Sequence, residues 1–297
     1  REPLAKGNRV SLVDRIRDCA RFEPGRYRSF IVGGAAVGRI DEAVAGLLRP
    51  FADVFEVTED AVTMNQGLKV PSQRTEAMAG VLEALRGGGH IPGWRDEAYP
   101  VGSAFSAPAL LTMERAAVPL FGVKGYGVHV NGFVRDGAEI KMWIGKRSLD
   151  KPTGPGKLDQ IVAGGQPAGG SLSDNGIKEC KEEAGIPAAL AATARPVGTV
   201  SYMTEREEGL RYDVLFNYDL ELPADFEPAN TDGEVEGFFL WPMARVMDTL
   251  AKGDDFKFNC ALVVIDFLVR WGFITPEDPD YIEIVQGVNR QFPTSKD

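Results

Sequence analysis

The chain has 297 residues, is 44% hydrophobic and carries a formal net charge of −10. That length and apolar content allow one large or two ordinary domains, each with a real core. The acidic balance excludes a general nucleic-acid binder, because no surplus of positive charge offsets phosphate repulsion, but a small phosphorylated ligand in a locally basic cleft is still allowed.

The three cysteines, Cys19, Cys180 and Cys260, are scattered and lack metal spacing. A reduced, cytoplasmic setting follows from that usage. His90 and His129 are too few and too far apart in sequence for a histidine metal site. The most apolar run, residues 260–269, is interrupted by Asp266 and is too short to span a bilayer. No membrane partner is expected, and the start at Arg1 shows no signal-peptide pattern.

Taken in chain order, residues 1–118 read as a separate, smaller α/β domain. Val10, Val13, Ile16 and Ala20 recur at helical spacing. Residues 30–32 read as a strand ending at Gly33-Gly34, and 40–48 as a helix stopped by Pro50. Residues 54–57 and 61–64 read as a strand pair around Glu59-Asp60, and 72–85 as a helix ending at Gly87-Gly88-Gly89. Residues 90–101 carry Trp94, Asp96, Glu97 and Tyr99 and fit either an irregular connector or part of a pocket. A domain boundary is placed at 114–119.

The pattern then becomes strand-rich over 119–271. Residues 128–134 and 140–146 read as a hairpin around Arg135-Asp136-Gly137. Between Lys141 and Lys157 lie five basic residues, Lys141, Lys146, Arg147, Lys151 and Lys157, against one acid, Asp150. In a chain this acidic, such a local inversion suits a diphosphate, although each residue taken singly is as easily a solvated cation. Residues 158–163 read as a strand. Further strands are read over 197–203, 210–220 and 234–241, and helices over 243–250 and 259–271. Residues 272–297 form a tail with strand potential at 281–285.

The stretch GGQPAGGSLSDNGIKECKEEAGI, residues 164–186, carries the chemistry. Ser171 is a helix cap with Asp174 as its capping-box partner, and Gly185 suits the left-handed position past the helix end. Glu179, Glu182 and Glu183 sit at i, i+3 and i+4, so they project from one side, while Ile177, Cys180 and Ala184 face a packing side. Lys178 and Lys181 rotate away from the carboxylates, with Asp174 placed to pair with Lys178. Such a triplet alone reads as a solvated acidic face. The glycine loop, the caps and the preceding strand turn the reading toward a hard divalent cation held by oxygen ligands.

These residues resemble the signature of the Nudix hydrolases, GxxxxxExxxxxxxRE-apolar-xEExG-apolar. Gly164, Glu179, Cys180, Glu182, Glu183, Gly185 and Ile186 fall at the signature's offsets, while Gly170 stands in place of its first Glu and Lys178 in place of its Arg. The longer run 155–186 resembles the Nudix proteins related to thiamine pyrophosphokinase, which carry an uncharacterised N-terminal domain and share both departures. That resemblance covers roughly residues 10 to 290, most firmly 119–260.

It implies an α/β/α sandwich with a mixed sheet, and hydrolysis of the diphosphate in thiamine diphosphate or its oxo and oxy analogues. On this reading Glu179, Glu182 and Glu183 hold Mg²⁺, with Mn²⁺ as an alternative, together with a carbonyl of Ala163 or Gly164. Glu179 and Glu182 are the catalytic candidates. Arg147, Lys157, Gly164 and Gly165 bind phosphate. Tyr202, Phe239 or Trp241 stack on a flat ring, and an acid among Glu205, Glu207 and Glu208 completes the metal site. The first domain covers the active site or supplies a homodimer face. Rival readings are hydrolysis of a nucleoside diphosphate derivative and a non-hydrolytic ligand sensor of the same fold. Isomerase chemistry on a diphosphate needs a reactive cysteine, and Cys180 points away from the glutamates.

Overall fold

The computed structural model describes residues 11–292. Gly33 and Gly34 adopt φ of +57° and +84°, a left-handed backbone that lacks the Cβ penalty only in glycine. They turn β1 (Tyr27–Val32) into β2 (Ala35–Asp41). β3 (Phe55–Val57) pairs antiparallel with β4 (Ala61–Met64), and β4 runs parallel to β1. The resulting sheet has the order β2-β1-β4-β3.

The helix read from residue 40 starts later, as α2 (Glu42–Leu48). Ile40 pairs with Arg28 in the ladder and is fully buried, and Asp41 caps the helix by accepting from Val44 N at 2.8 Å. α3 (Pro71–Gly87) buries Met78, Val81, Leu82 and Leu85, one stripe of a 3.6-residue period. β5 (Ala98–Val101) and β6 (Leu111–Glu114) form a small antiparallel pair. A single core, including Phe30, Ile40, Leu48, Val62 and Phe121, joins these elements.

The second sheet has seven strands: β7 (Lys124–Asp136), β8 (Glu139–Arg147), β9 (Leu158–Asp159), β10 (Val162–Gly165), β11 (Arg195–Arg206), β12 (Gly209–Glu221) and β13 (Val235–Pro242). The order is β11-β12-β7-β8-β13, with β10 on β7 and β9 on β8. β12 is parallel to β7 and the other pairs are antiparallel, so the sheet is mixed. β7 divides its partners: Gly127 to Val130 pair with β10, and Phe133 to Asp136 with β8. The single strand read over 158–163 is therefore two short ones, because the chain crosses from β8 to β7 at Gln160 and Ile161. The Gln160 amide is held there by His129 Nδ1 at 2.8 Å and the Cys260 carbonyl at 2.7 Å.

Alternation along β7 sorts its side chains onto two faces. Val128, Val130 and Val134 pack with Cys180, Ala184 and Ile186 beneath α4 (Leu172–Ala184) and the short α5 (Ala188–Ala191). Phe133 packs on the opposite face with α6 (Met243–Lys252) and α7 (Phe258–Arg270). The architecture is thus the expected α/β/α sandwich with a smaller α/β unit in front.

The tail departs from its reading. Residues 281–285 are not a strand but the start of α8 (Tyr281–Val288). Tyr281, Ile284 and Val288 recur at helical spacing, and a short apolar run is ambiguous until its neighbours are known. Gly287, lacking a Cβ, lets α8 close on Ile16 of α1 (Leu12–Asp18). Arg17 and Glu283 pair across the two helices at 2.9 Å. A helix from the first segment and one from the tail therefore join the core beside α7. Among the described residues no helix is long and apolar enough to cross a membrane.

Candidate active site

The α4 helix is built as its caps require. Ser171 Oγ accepts from Asp174 N at 3.0 Å, and Gly185 closes the helix at φ +64°. Asp174 turns back onto the Ser171 hydroxyl at 2.7 Å, so it is not the partner of Lys178. Lys178 instead meets Glu182 at 3.1 Å and Glu179 at 3.4 Å, which corrects its expected position away from the carboxylates. A lysine at position 178 reaches i+1 and i+4, and its side chain stays more than half exposed. Exposed pairs of this kind are worth little and are readily exchanged.

The three glutamates differ in setting. Glu183 is 6% exposed and accepts from Ala163 N at 2.9 Å, on the edge of β10 that faces away from β7. Burial pushes its carboxyl up to about 7, against the pull of the Ala163 N–H, with Glu179 and Asp159 adding to the rise and Lys151 opposing it. The Glu179 side chain is 15% exposed. Its carboxyl is also raised by burial first, with Lys178 and Arg115 opposing. A Cβ on Gly164 would overlap the Glu179 carboxyl, so this glycine is what allows the side chain to lie across the strand. The Glu182 side chain is 49% exposed. The helix thus sets two largely desolvated carboxylates against a glycine strand and a third at the rim.

Those oxygens suit a hard divalent cation. A soft ligand is not on offer from the same helix, since Cys180 is buried among Val128, Ala184 and Ile186. A second acidic group, His129, Asp159 and Cys260, lies wholly buried with ligand atoms within 4.8 Å of one another. It does not fit a cation: Arg147 pairs with Asp159 at 2.8 Å, and the Lys257 charge bears on the same carboxylate.

The cations of the basic loop are engaged within the fold. Each of its five cations has its own acid: Lys141 with Asp136, Lys146 with Glu236, Arg147 with Asp159, Lys151 with Glu234 and Lys157 with Asp254. Arg147 is corrected outright. Its guanidinium is buried and spent on Asp159 and on the Thr153 and Gly154 carbonyls, so it braces the loop. Lys157 is held by the Asp254 carboxylate at 3.0 Å and carbonyl at 2.7 Å.

Ring stacking by Tyr202 is likewise corrected. Tyr202 is 1% exposed, bonds Asp213 and packs edge-on against Phe258. Trp241 is also core, whereas Phe239 is exposed on β13 but lines neither cavity described below.

Two cavities adjoin here, and of these only the smaller reaches the motif strand. One of about 80 Å³ touches Ala163, Gly164 and Gly165. The other, of about 510 Å³, lies between the first α/β unit and the seven-stranded sheet. Arg115, Arg211 and Lys257 line both. Glu205, Glu207 and Glu208 line the larger and not the smaller, with Glu205 paired to Arg26 and Glu208 to Arg211. Tyr99 and Arg115 of the first unit lie directly on Gly165, where a Cβ would overlap the Tyr99 hydroxyl. Of the two readings of residues 90–101, the pocket one gains support, with Arg95 lining the larger cavity and Tyr99 the smaller. Arg115 had no sequence signal: it is a lone cation near the boundary, and its place is set by the fold alone.

Comparison with known proteins bears on this site. A family model described as a domain of unknown function, DUF4743, matches residues 11–125. Nudix hydrolase 20, chloroplastic, of Arabidopsis thaliana is 47% identical over 289 residues, covering 93% of this chain and 77% of that protein. Nudix hydrolase 24, chloroplastic, of the same plant is 50% identical over 287 residues, covering 95% and 78%. The NUDIX domain of Shewanella oneidensis NrtR, solved with ADP ribose, aligns at 15% identity and a TM-score of 0.40 over 52% of this chain and 91% of its own. The plant relatives match through the motif helix and the unit before it alike, and on that ground the chain belongs to the Nudix hydrolases, enzymes that split a diphosphate linkage with the help of divalent metal ions.

Proposed function

We propose that the protein hydrolyses the diphosphate of thiamine diphosphate, or of its oxo and oxy analogues, with Mg²⁺. Water adds to the terminal phosphorus and the bond to the bridging oxygen breaks, leaving the organic monophosphate and inorganic phosphate. The observation that carries this reading is the placement of Glu183 and Glu179 against β10, one bonded to Ala163 N and the other lying over Gly164.

Glu179, Glu183 and the rim carboxylate Glu182 are the groups that would hold the cation, with a carbonyl of the Ala163–Gly164 strand beside them. Bound there, a divalent ion supplies charge neutralisation of the diphosphate and activation of water. An all-oxygen donor set favours Mg²⁺, with Mn²⁺ as a substitute. Burial raises the Glu179 carboxyl, which lies over Gly164, and we assign it the proton leaving the attacking water. Glu182, half exposed, is an auxiliary to that step.

The thiamine part rests on the resemblance of residues 155–186 and on nothing in the cavity's shape. We take the functional division to fall near residue 119, with α1 and α8 lent to the catalytic unit. Three free, buried cysteines suit a reducing compartment. We place the chain in the cytoplasm; the chloroplastic label belongs to the two plant relatives.

The test is product identification. Purified protein with Mg²⁺ is given thiamine diphosphate, its oxo and oxy analogues, ADP ribose and nucleoside diphosphates, and products are resolved by mass spectrometry. Monophosphate from the thiamine set with the highest kcat/KM supports the reading. Preference for a nucleotide by tenfold or more overturns the thiamine assignment and keeps the chemistry.

A further inference from the structure

The unit ahead of the Nudix part makes close contact with the motif strand. The Ala98 carbonyl of β5 accepts from Ala168 N at 3.0 Å, just past β10. One residue on, the Tyr99 hydroxyl abuts Gly165, and the Arg115 guanidinium would lie 2.9 Å from a Cβ placed there. Glycine at 165 is therefore what lets these two side chains reach the site.

Arg115 adds positive charge to a cluster that is only partly balanced, Arg211 being paired with Glu208. Arg115 pairs with Glu97 at 2.8 Å, yet shares its surroundings with Arg95, Arg211 and Lys257. Among the described residues, neither the Arg95 guanidinium nor the Lys257 ammonium forms an ion pair or a hydrogen bond. Burial lowers the pKa of both, and for Arg95 the charges of Arg115 and Arg211 push the same way. The Tyr99 hydroxyl is buried and has no hydrogen-bond partner. Desolvated like charges and an orphaned hydroxyl are costly to a fold. Arg115, Arg211 and Lys257 line both cavities, Arg95 the larger and Tyr99 the smaller that touches Ala163–Gly165, and this is the arrangement an anion would stabilise. At about 510 Å³ the larger chamber is also within the range, roughly 300–1,000 Å³, of small-molecule sites.

We propose that the wall shared by the two cavities seats the phosphate end of the substrate beside Ala163–Gly165, with Arg115 of the N-terminal unit gripping a phosphate oxygen, so that the active site is complete only when both units are present. The ligand class is a diphosphate dianion or trianion. Arg115 offers a planar fork of donors matched to phosphate oxygens, with Lys257 as a point charge behind it. The proposal rests on the diphosphate chemistry proposed above and adds to it a function for the first unit.

The experiment is calorimetric binding of methylenediphosphonate, whose P–C–P bridge water cannot split, to the full chain with Mg²⁺ present. Wild type, Arg115→Gln and Arg115→Lys are compared, and each variant's melting temperature is recorded. We expect Arg115→Gln to weaken binding at least tenfold with its melting temperature near that of wild type, and Arg115→Lys to recover part of the loss. Equal affinity in wild type and Arg115→Gln overturns the proposal. So does failure of wild type to bind at millimolar concentration, or a loss that tracks a fallen melting temperature and is absent in a stable Arg115→Lys. Wild type that binds the diphosphonate but releases no phosphate from any diphosphate removes the hydrolase reading and leaves the anion site standing.

Discussion

Two groups of positive charge flank the motif helix, and they teach opposite lessons. The first, Lys141 to Lys157, is contiguous in sequence and conspicuous in an acidic chain, yet in the fold every member meets a carboxylate. The second, Arg95, Arg115, Arg211 and Lys257, is scattered across the chain and converges on one cavity, where Arg115 and Arg211 meet Glu97 and Glu208 but Arg95 and Lys257 form no ion pair among the described residues. A run of charge along the backbone says what is available locally. Only the tertiary fold says which acids arrive to neutralise it.

That contrast can be broken or sharpened by substitution. The largest effect is expected on stability at Arg147. Arg147→Ala leaves Asp159 buried without its partner, which costs about 3–5 kcal/mol. Thermal unfolding should move down by roughly 10 °C, with KM for a diphosphate unchanged in the protein that remains folded. A raised KM with no loss of stability would restore the phosphate clamp that the geometry removed.

Next is Arg115. Arg115→Gln should lower kcat/KM for the diphosphate by about ten- to a hundredfold, the scale of about 1.5–3 kcal/mol for one charge-assisted hydrogen bond. A smaller effect than that of Lys157→Ala would reverse the ranking of the two groups.

Third is a pH effect at Glu183. Its folded carboxyl stands near 7, above the ordinary glutamate value, so the folded state holds the extra proton. Stability from this group is therefore full below the unfolded value and is lost as pH rises toward and through 7. In metal-free protein, Glu183→Gln should raise the melting temperature by a few degrees at pH 8 and change it little at pH 4.5. A gain confined to the acid side would contradict the burial argument. The smallest effects belong to Lys146→Ala and Lys157→Ala, exposed pairs worth under about 1 kcal/mol. Melting temperature and KM should both stay within error.

Much of the fold was readable because it is written locally. The glycine pair at 33–34, the stripe of Met78, Val81, Leu82 and Leu85, and the caps at Ser171 and Gly185 each report short-range geometry. So does the i, i+3, i+4 spacing of the glutamates. What was not readable is non-local. Residues 281–288 are a helix because Ile16 and α7 wait for them. Tyr202 is core because its strand faces α7, not because of any neighbour in sequence. Arg115 and Tyr99 reach Gly165 only after two sheets are assembled.

The most direct measurement of the central claim is phosphate release from thiamine diphosphate or its oxo analogue by wild type and Glu183→Gln, each with saturating Mg²⁺. Loss of the charged oxygen at 183 should lower kcat by about a hundredfold or more, as removal of a principal charge-stabilising group does. Turnover by Glu183→Gln within a few-fold of wild type would contradict the assignment of this helix as the seat of the reaction.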